Sequence, residues 1–176
     1  MLQKQQFQRQ RRLGEMSLAL AEAARSISIA AESKVDVMKI KLQVVIDAIE
    51  EATESYTSFY DTKTKETVYL PDAFVTGETD EELLELIENE TDRFLRFPTK
   101  YDIHEYSIME AFVDYLPPGK IKSELIGAIR GKGAFRRFKQ SIRYHGIEQL
   151  WYDYQANAYR ELAERWCRDN EIEYEE

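Results

Sequence analysis

With only one cysteine, Cys167, the chain has no intrachain disulfide framework, which fits a reducing compartment. Only two histidines are present, His104 and His145. Neither is followed by a second His or Cys at metal-ligand spacing, so the pattern indicates no metal site and no cofactor. Long apolar runs are missing too, since nothing approaches the roughly 18 residues of a membrane span. The stretch MSLALAEAARSISIAA from Met16 is broken by Glu22 and Arg25, which argues against an export signal and leaves the cytoplasm as the expected location. No nucleophile sits beside an activating base, and the many carboxylates of an acidic chain single out no catalytic pair. A non-enzymatic protein with no membrane contact is therefore the leading expectation, with an enzyme whose site is assembled from dispersed residues left open beside it. What remains is 43% hydrophobic and 12% aromatic, enough for a core of its own despite 32% charged residues.

Charge is where the sequence is uneven. The net charge is −9, yet residues 125–147 carry Arg130, Lys132, Arg136, Arg137, Lys139 and Arg143 with no carboxylate between Glu124 and Glu148. Residues 71–92 are the opposite: nine Asp and Glu with no Lys or Arg. A local +6 on an acidic background marks the place where an anion would dock.

Periodicity divides the chain into an extension, residues 1–35, and a single α+β domain, residues 36–176. Residues 1–14 hold Lys4, Arg9, Arg11, Arg12 and five glutamines without an acid, a basic arm. Residues 13–31 then show an amphipathic helical stripe rich in alanine, suited to a partner protein or a homodimer. Ser33 is placed to cap a helix over 36–53 that carries Val37, Ile40, Val44, Val45, Ala48 and Ile49 on one face. From Tyr56 the period switches to two, which predicts strands at 56–60 and 66–70 around a polar turn, ended by Pro71. Phe94-Leu95-Arg96-Phe97 offers a third strand. Thr79-Asp80-Glu81-Glu82 has capping-box form and opens a helix to Asn89, and Asp102 with Glu105 suggests another start. Helices over 120–130, 134–144 and 147–168 follow, the last lining up Leu150, Tyr154, Ala158, Leu162 and Trp166. Beyond Asn170 an acidic, solvated tail is expected. The result is a small antiparallel hairpin or three-stranded sheet packed on helices, with a mainly helical C-terminal half.

Four stretches carry a family resemblance: DIHEYSIMEAF from Asp102, AIRGKGAFRRFK from Ala128, LWYDY from Leu150 and AERWCRDNEI from Ala163. The stretch from Lys39 to Leu70 adds to it. Over residues 39–174 the chain resembles the bacterial uncharacterised protein family 0158. That resemblance implies a shared fold, but no substrate, cofactor or catalytic residue, because the family has no established activity.

The segment AIRGKGAFRRFK also has a chemistry of its own. Gly131 and Gly133 flank Lys132 just before a helix that starts near Ala134, and a helix N-terminus after a glycine turn exposes unpaired N–H groups to an anion. Arg130, Lys132, Arg136, Arg137, Lys139 and Arg143 add charge suited to phosphate. The segment is not a P-loop: Gly133 stands where Ser or Thr is needed. Nor is it a dinucleotide fingerprint, since Arg136 replaces the third glycine. The expectation is a binding module for nucleic acid or a phosphate-bearing ligand. Two alternatives stand beside it: neutralisation of the segment by residues 71–92 of the same molecule, and a protein–protein adaptor. Phe135, Phe138 and Ile142 are expected to face the core.

Overall fold

The structure, a computed structural model, describes residues 38–176. The basic arm, the amphipathic helix over 13–31 and the Ser33 cap lie outside the described residues.

The unit starts with a short strand, β1 (Lys39–Lys41), and a helix, α1 (Leu42–Glu50). The single helix expected over 36–53 is thus shorter, and Ile40 lies in a strand. β1 pairs in parallel with β5 (Glu173–Glu175), in the register Lys39–Glu173, Ile40–Tyr174 and Lys41–Glu175. The acidic tail is therefore ordered into a strand, while Glu173–Glu175 stay exposed to solvent as expected. Its entry is a Schellman turn: Glu171, at φ 56°, donates to the Arg168 carbonyl and Ile172 to that of Cys167. Ile172 and Ile40 are then both buried.

β2 (Tyr56–Asp61) and β3 (Glu66–Pro71) form the expected hairpin, and β4 (Phe94–Arg96) pairs antiparallel on the other side of β2. The sheet order is β3-β2-β4. Asp61 organises the hairpin turn by accepting from the backbone N–H groups of Lys63 and Thr64. Arg93 clamps the same carboxylate with two N–H donors, at 2.8 and 2.6 Å. Between sheet strands lie α2 (Ala73–Thr76) and α3 (Glu81–Asn89), capped by Asp72 and Asp80. The α3 cap is thus Asp80, which accepts from Leu83 N–H, and not Thr79.

The other capping box also moves. Thr99 and Asp102 form it, at the start of α4 (Lys100–Ile103). His104, in the left-handed region at φ 49°, then breaks the chain before α5 (Glu105–Tyr115). The remaining helices are α6 (Lys120–Ala128), α7 (Ala134–Tyr144) and α8 (Glu148–Asp169). The class is α+β, with helices filling the C-terminal half. No described helix is long and apolar enough to cross a membrane.

The core lies where α1, α5, α7 and α8 meet. Phe112 of α5, Phe138 of α7 and Trp151 of α8 form a buried aromatic triad with centroids 4.8 to 6.0 Å apart and rings near perpendicular. Each such contact adds about 0.5–1.5 kcal/mol beyond its buried area. Trp151, rather than Leu150, is the residue that α8 buries here; Leu150 is exposed. Trp166 ties the sheet to α8, stacking at 4.9 Å on Phe97 and donating Nε1–H to the Arg96 carbonyl at 2.8 Å. The triad matters most for function, because it fixes one face of α7 and so decides which side chains the other face shows.

Candidate functional site

Along α7, Ala134, Phe138 and Ile142 are buried, at i, i+4 and i+8. The opposite face carries Arg136, Lys139 and Arg143, at i, i+3 and i+7, all exposed. Phe135 falls to the side of the buried stripe and is exposed, so its expected place in the core is corrected. Its ring meets the edge of Tyr106 instead.

The turn between α6 and α7 is built on two left-handed glycines, Gly131 at φ 72° and Gly133 at φ 81°. A side chain at either would be strained by its backbone alone. Arg137 locks this turn. Its Nε donates to the Ala128 carbonyl at 3.0 Å and Nη1 to that of Lys132 at 2.6 Å, while Nη2 donates to the Arg130 carbonyl. Tyr106 Oη adds a hydrogen bond to the Ile129 carbonyl at 2.9 Å. Four carbonyl oxygens, the negative ends of the peptide dipoles, are thus held by side-chain donors. Among the described residues no side chain caps the start of α7, so its first N–H groups have no side-chain acceptor there. The far end closes with a second Schellman turn: Gly146 donates to the Arg143 carbonyl and Ile147 to that of Ile142.

The cations of the segment therefore divide by geometry. Arg137 is half-buried and committed to backbone carbonyls. Arg143 contacts Glu148 across 3.2 Å while staying 77% exposed. Arg130, Lys132, Arg136 and Lys139 are exposed and make no ion pair with any carboxylate among the described residues. The acidic stretch 71–92 sends no carboxylate to them; among the described residues only Glu90 of that stretch is ion-paired, to Arg93. His145 lies apart from this role, its Nε2 2.7 Å from Glu124 Oε2, bracing α6 against α7.

Elsewhere, His104 borders a cleft of about 320 Å³ shared with Asp102, Ser107, Tyr154, Glu161 and Arg165. Thr99 and the Arg96 guanidinium hold the Asp102 carboxyl below its ordinary value. No group of three or more His, Cys, Asp or Glu side chains gathers at metal distance among the described residues. Cys167 is fully buried, and burial, aided by Glu164, pushes its thiol up to about 11.

Fold and surface together define an α+β protein with one cationic helix face whose charge the described residues leave largely unneutralised. Its family is shown by sequence: the model of the Uncharacterised protein family (UPF0158) matches residues 35–175, and the chain belongs to that family. A relative from Pseudomonas aeruginosa, named only as a protein of the same family, is 32% identical over 95 residues. The match takes in 53% of this chain and 62% of that protein's length. No solved structure shows significant similarity.

Proposed function

We propose that the α6–α7 turn and the outer face of α7 bind the phosphate backbone of nucleic acid. The supporting observation is the set Arg130, Lys132, Arg136 and Lys139, exposed and without carboxylate partners among the described residues, beside an uncapped helix N-terminus. Exposed ion pairs contribute only about 0–1 kcal/mol each, so stability is a weak reason to concentrate cations on one face. A phosphate backbone, by contrast, rewards every cation it meets through counterion release. On this reading Gly131 and Gly133 shape the turn, Arg137 holds it, and Arg143 extends the stripe. Nothing in the arrangement reads base edges, so binding is insensitive to sequence. An extension over residues 1–35, with its basic arm, would add to the same electrostatic attraction as a separate module. The protein works in the cytoplasm on this view, as a binding module without catalysis.

The test is anisotropy of a labelled single-stranded oligonucleotide against nuclease-treated protein over a salt series. Four to five phosphate contacts on single strands give a slope of log K against log salt of roughly −3 to −3.5. Arg136→Ala and Lys139→Ala should each flatten that slope by about 0.7 and weaken all sequences alike. Retention unchanged in the quadruple Arg130, Lys132, Arg136 and Lys139 alanine variant would overturn the reading. Inorganic phosphate as competitor separates a polymer from a small phosphate ligand.

A further inference from the structure

The acidic stretch that leaves α7 alone has an unusual surface of its own. α3 buries no residue: Leu83, Leu86 and Ile87 are only half-covered, and Leu84 is 41% exposed. Beside it in sequence, α2 holds Phe74 fully in solvent and Val75 more than half exposed. Single exposed apolar side chains need no explanation, but an amphipathic helix none of whose apolar residues is buried suggests a contact surface. On α3 the carboxylates Glu81, Glu85 and Glu88 stand at i, i+4 and i+7, one stripe along one face. None of the three is ion-paired among the described residues.

That stripe has a counterpart in the same chain. Arg136, Lys139 and Arg143 are spread over the same seven-residue separation along a helix, about 10 Å, with Phe135 exposed at their side as Leu84 is beside the carboxylates. Two helix faces of equal length and opposite charge, each flanked by an uncovered apolar side chain, are complementary in the sense that specifies partners. No ion pair joins them within one molecule. We infer that α3 of one molecule docks against α7 of a second copy, head to tail. Such a contact is heterologous: each copy keeps one free face of each sign, so it propagates into short chains unless the rotation closes a ring. The Arg143–Glu148 pair, being exposed, opens readily to share Arg143 with the incoming carboxylates. The inference does not depend on nucleic acid, although both ligands would compete for α7.

The experiment is sedimentation velocity on the full, nuclease-treated chain, comparing low salt with 1 M salt, where screening acts within about 3 Å. Wild type should show mass above the 20.7 kDa monomer at low salt, rising with concentration and lost at high salt. Two charge-reversed variants decide the geometry: Glu85→Lys with Glu88→Lys, and Arg136→Glu with Lys139→Glu. Each alone should be monomeric, because each lacks one face. Mixed in equal amounts, they should associate again, since the intact α7 of one meets the intact α3 of the other and the two reversed faces are complementary as well. Leu84→Ser, at an exposed site beside the carboxylate stripe, should weaken association several-fold while leaving oligonucleotide binding unchanged. A monomeric wild type, or a mixture that stays monomeric, overturns the inference. So does either reversed variant that still self-associates. Failure of oligonucleotide binding by a wild type that still self-associates would count against the proposed function alone.

Discussion

Arg137 Nε lies 3.0 Å from the carbonyl oxygen of Ala128, nine residues earlier and in the preceding helix. The side chain that carries this bond is one of two adjacent arginines, and its neighbour Arg136 points to solvent with no partner among the described residues. Two residues identical in type and adjacent in sequence therefore do different work. Replacing Arg137 by Ala should cost about 2 kcal/mol, since several charge-assisted bonds to carbonyls are lost together. Arg136→Ala should change stability by less than about 0.5 kcal/mol. Thermal or urea unfolding of the two variants measures the difference directly. Equal losses would mean that the Arg137 bonds do not persist in solution.

The glycines of the same turn make a paired prediction. Alanine at Gly131 meets no atom within 4 Å, so it bears only the left-handed backbone penalty of about 1–2 kcal/mol. Alanine at Gly133 bears that penalty and also places its Cβ 3.2 Å from Arg137 Nη1. Gly133→Ala should thus be the more destabilising of the two. In the Arg137→Ala background that excess should vanish, which a double-mutant cycle detects.

Asp61 and Arg93 set the acid limit of the sheet. The Arg93 guanidinium, through two hydrogen bonds, holds the almost fully buried Asp61 carboxyl far below the usual carboxylate range, and its own pKa is raised in return. A carboxyl depressed in the folded state stabilises above its unfolded pKa, about 3.9, and that stability is lost as pH falls toward the folded value. Arg93→Met leaves the buried charge without its partner and should cost about 3 kcal/mol at neutral pH. The gap between variant and wild type should narrow steadily below about pH 5. A gap independent of pH in acid denaturation curves would contradict the linkage.

Cys167 should be silent toward thiol reagents. Its side chain is fully buried and its thiol is pushed up to about 11, so little thiolate forms at neutral pH. Native protein should react with a disulfide reagent only as fast as it opens, and unfolded protein within the mixing time. Fast reaction in the native state would show that α8 breathes near Trp166.

Read alone, the residues were enough to determine the α+β class, the hairpin around Asp61 and the approximate span of α7, and they offered Phe94–Phe97 as a third strand without deciding between a hairpin and a three-stranded sheet. Those features follow from local rules: alternation, glycine punctuation and helical spacing act within a few residues of one another. They also revealed the basic segment, since charge is a property of composition. Only the tertiary structure decided the rest. It moved Ile40 from a helix to a strand, because β1 exists only by pairing with β5 at the opposite end of the unit. It chose Trp151 over Leu150 for the core and left Phe135 outside, because burial depends on which neighbours α5 and α8 bring, and a stripe in sequence cannot say where its edge falls. It also separated Arg137 from the cations around it. A guanidinium's role is set by the acceptors within its reach, and those carbonyls are positioned by the packing of α6 against α7.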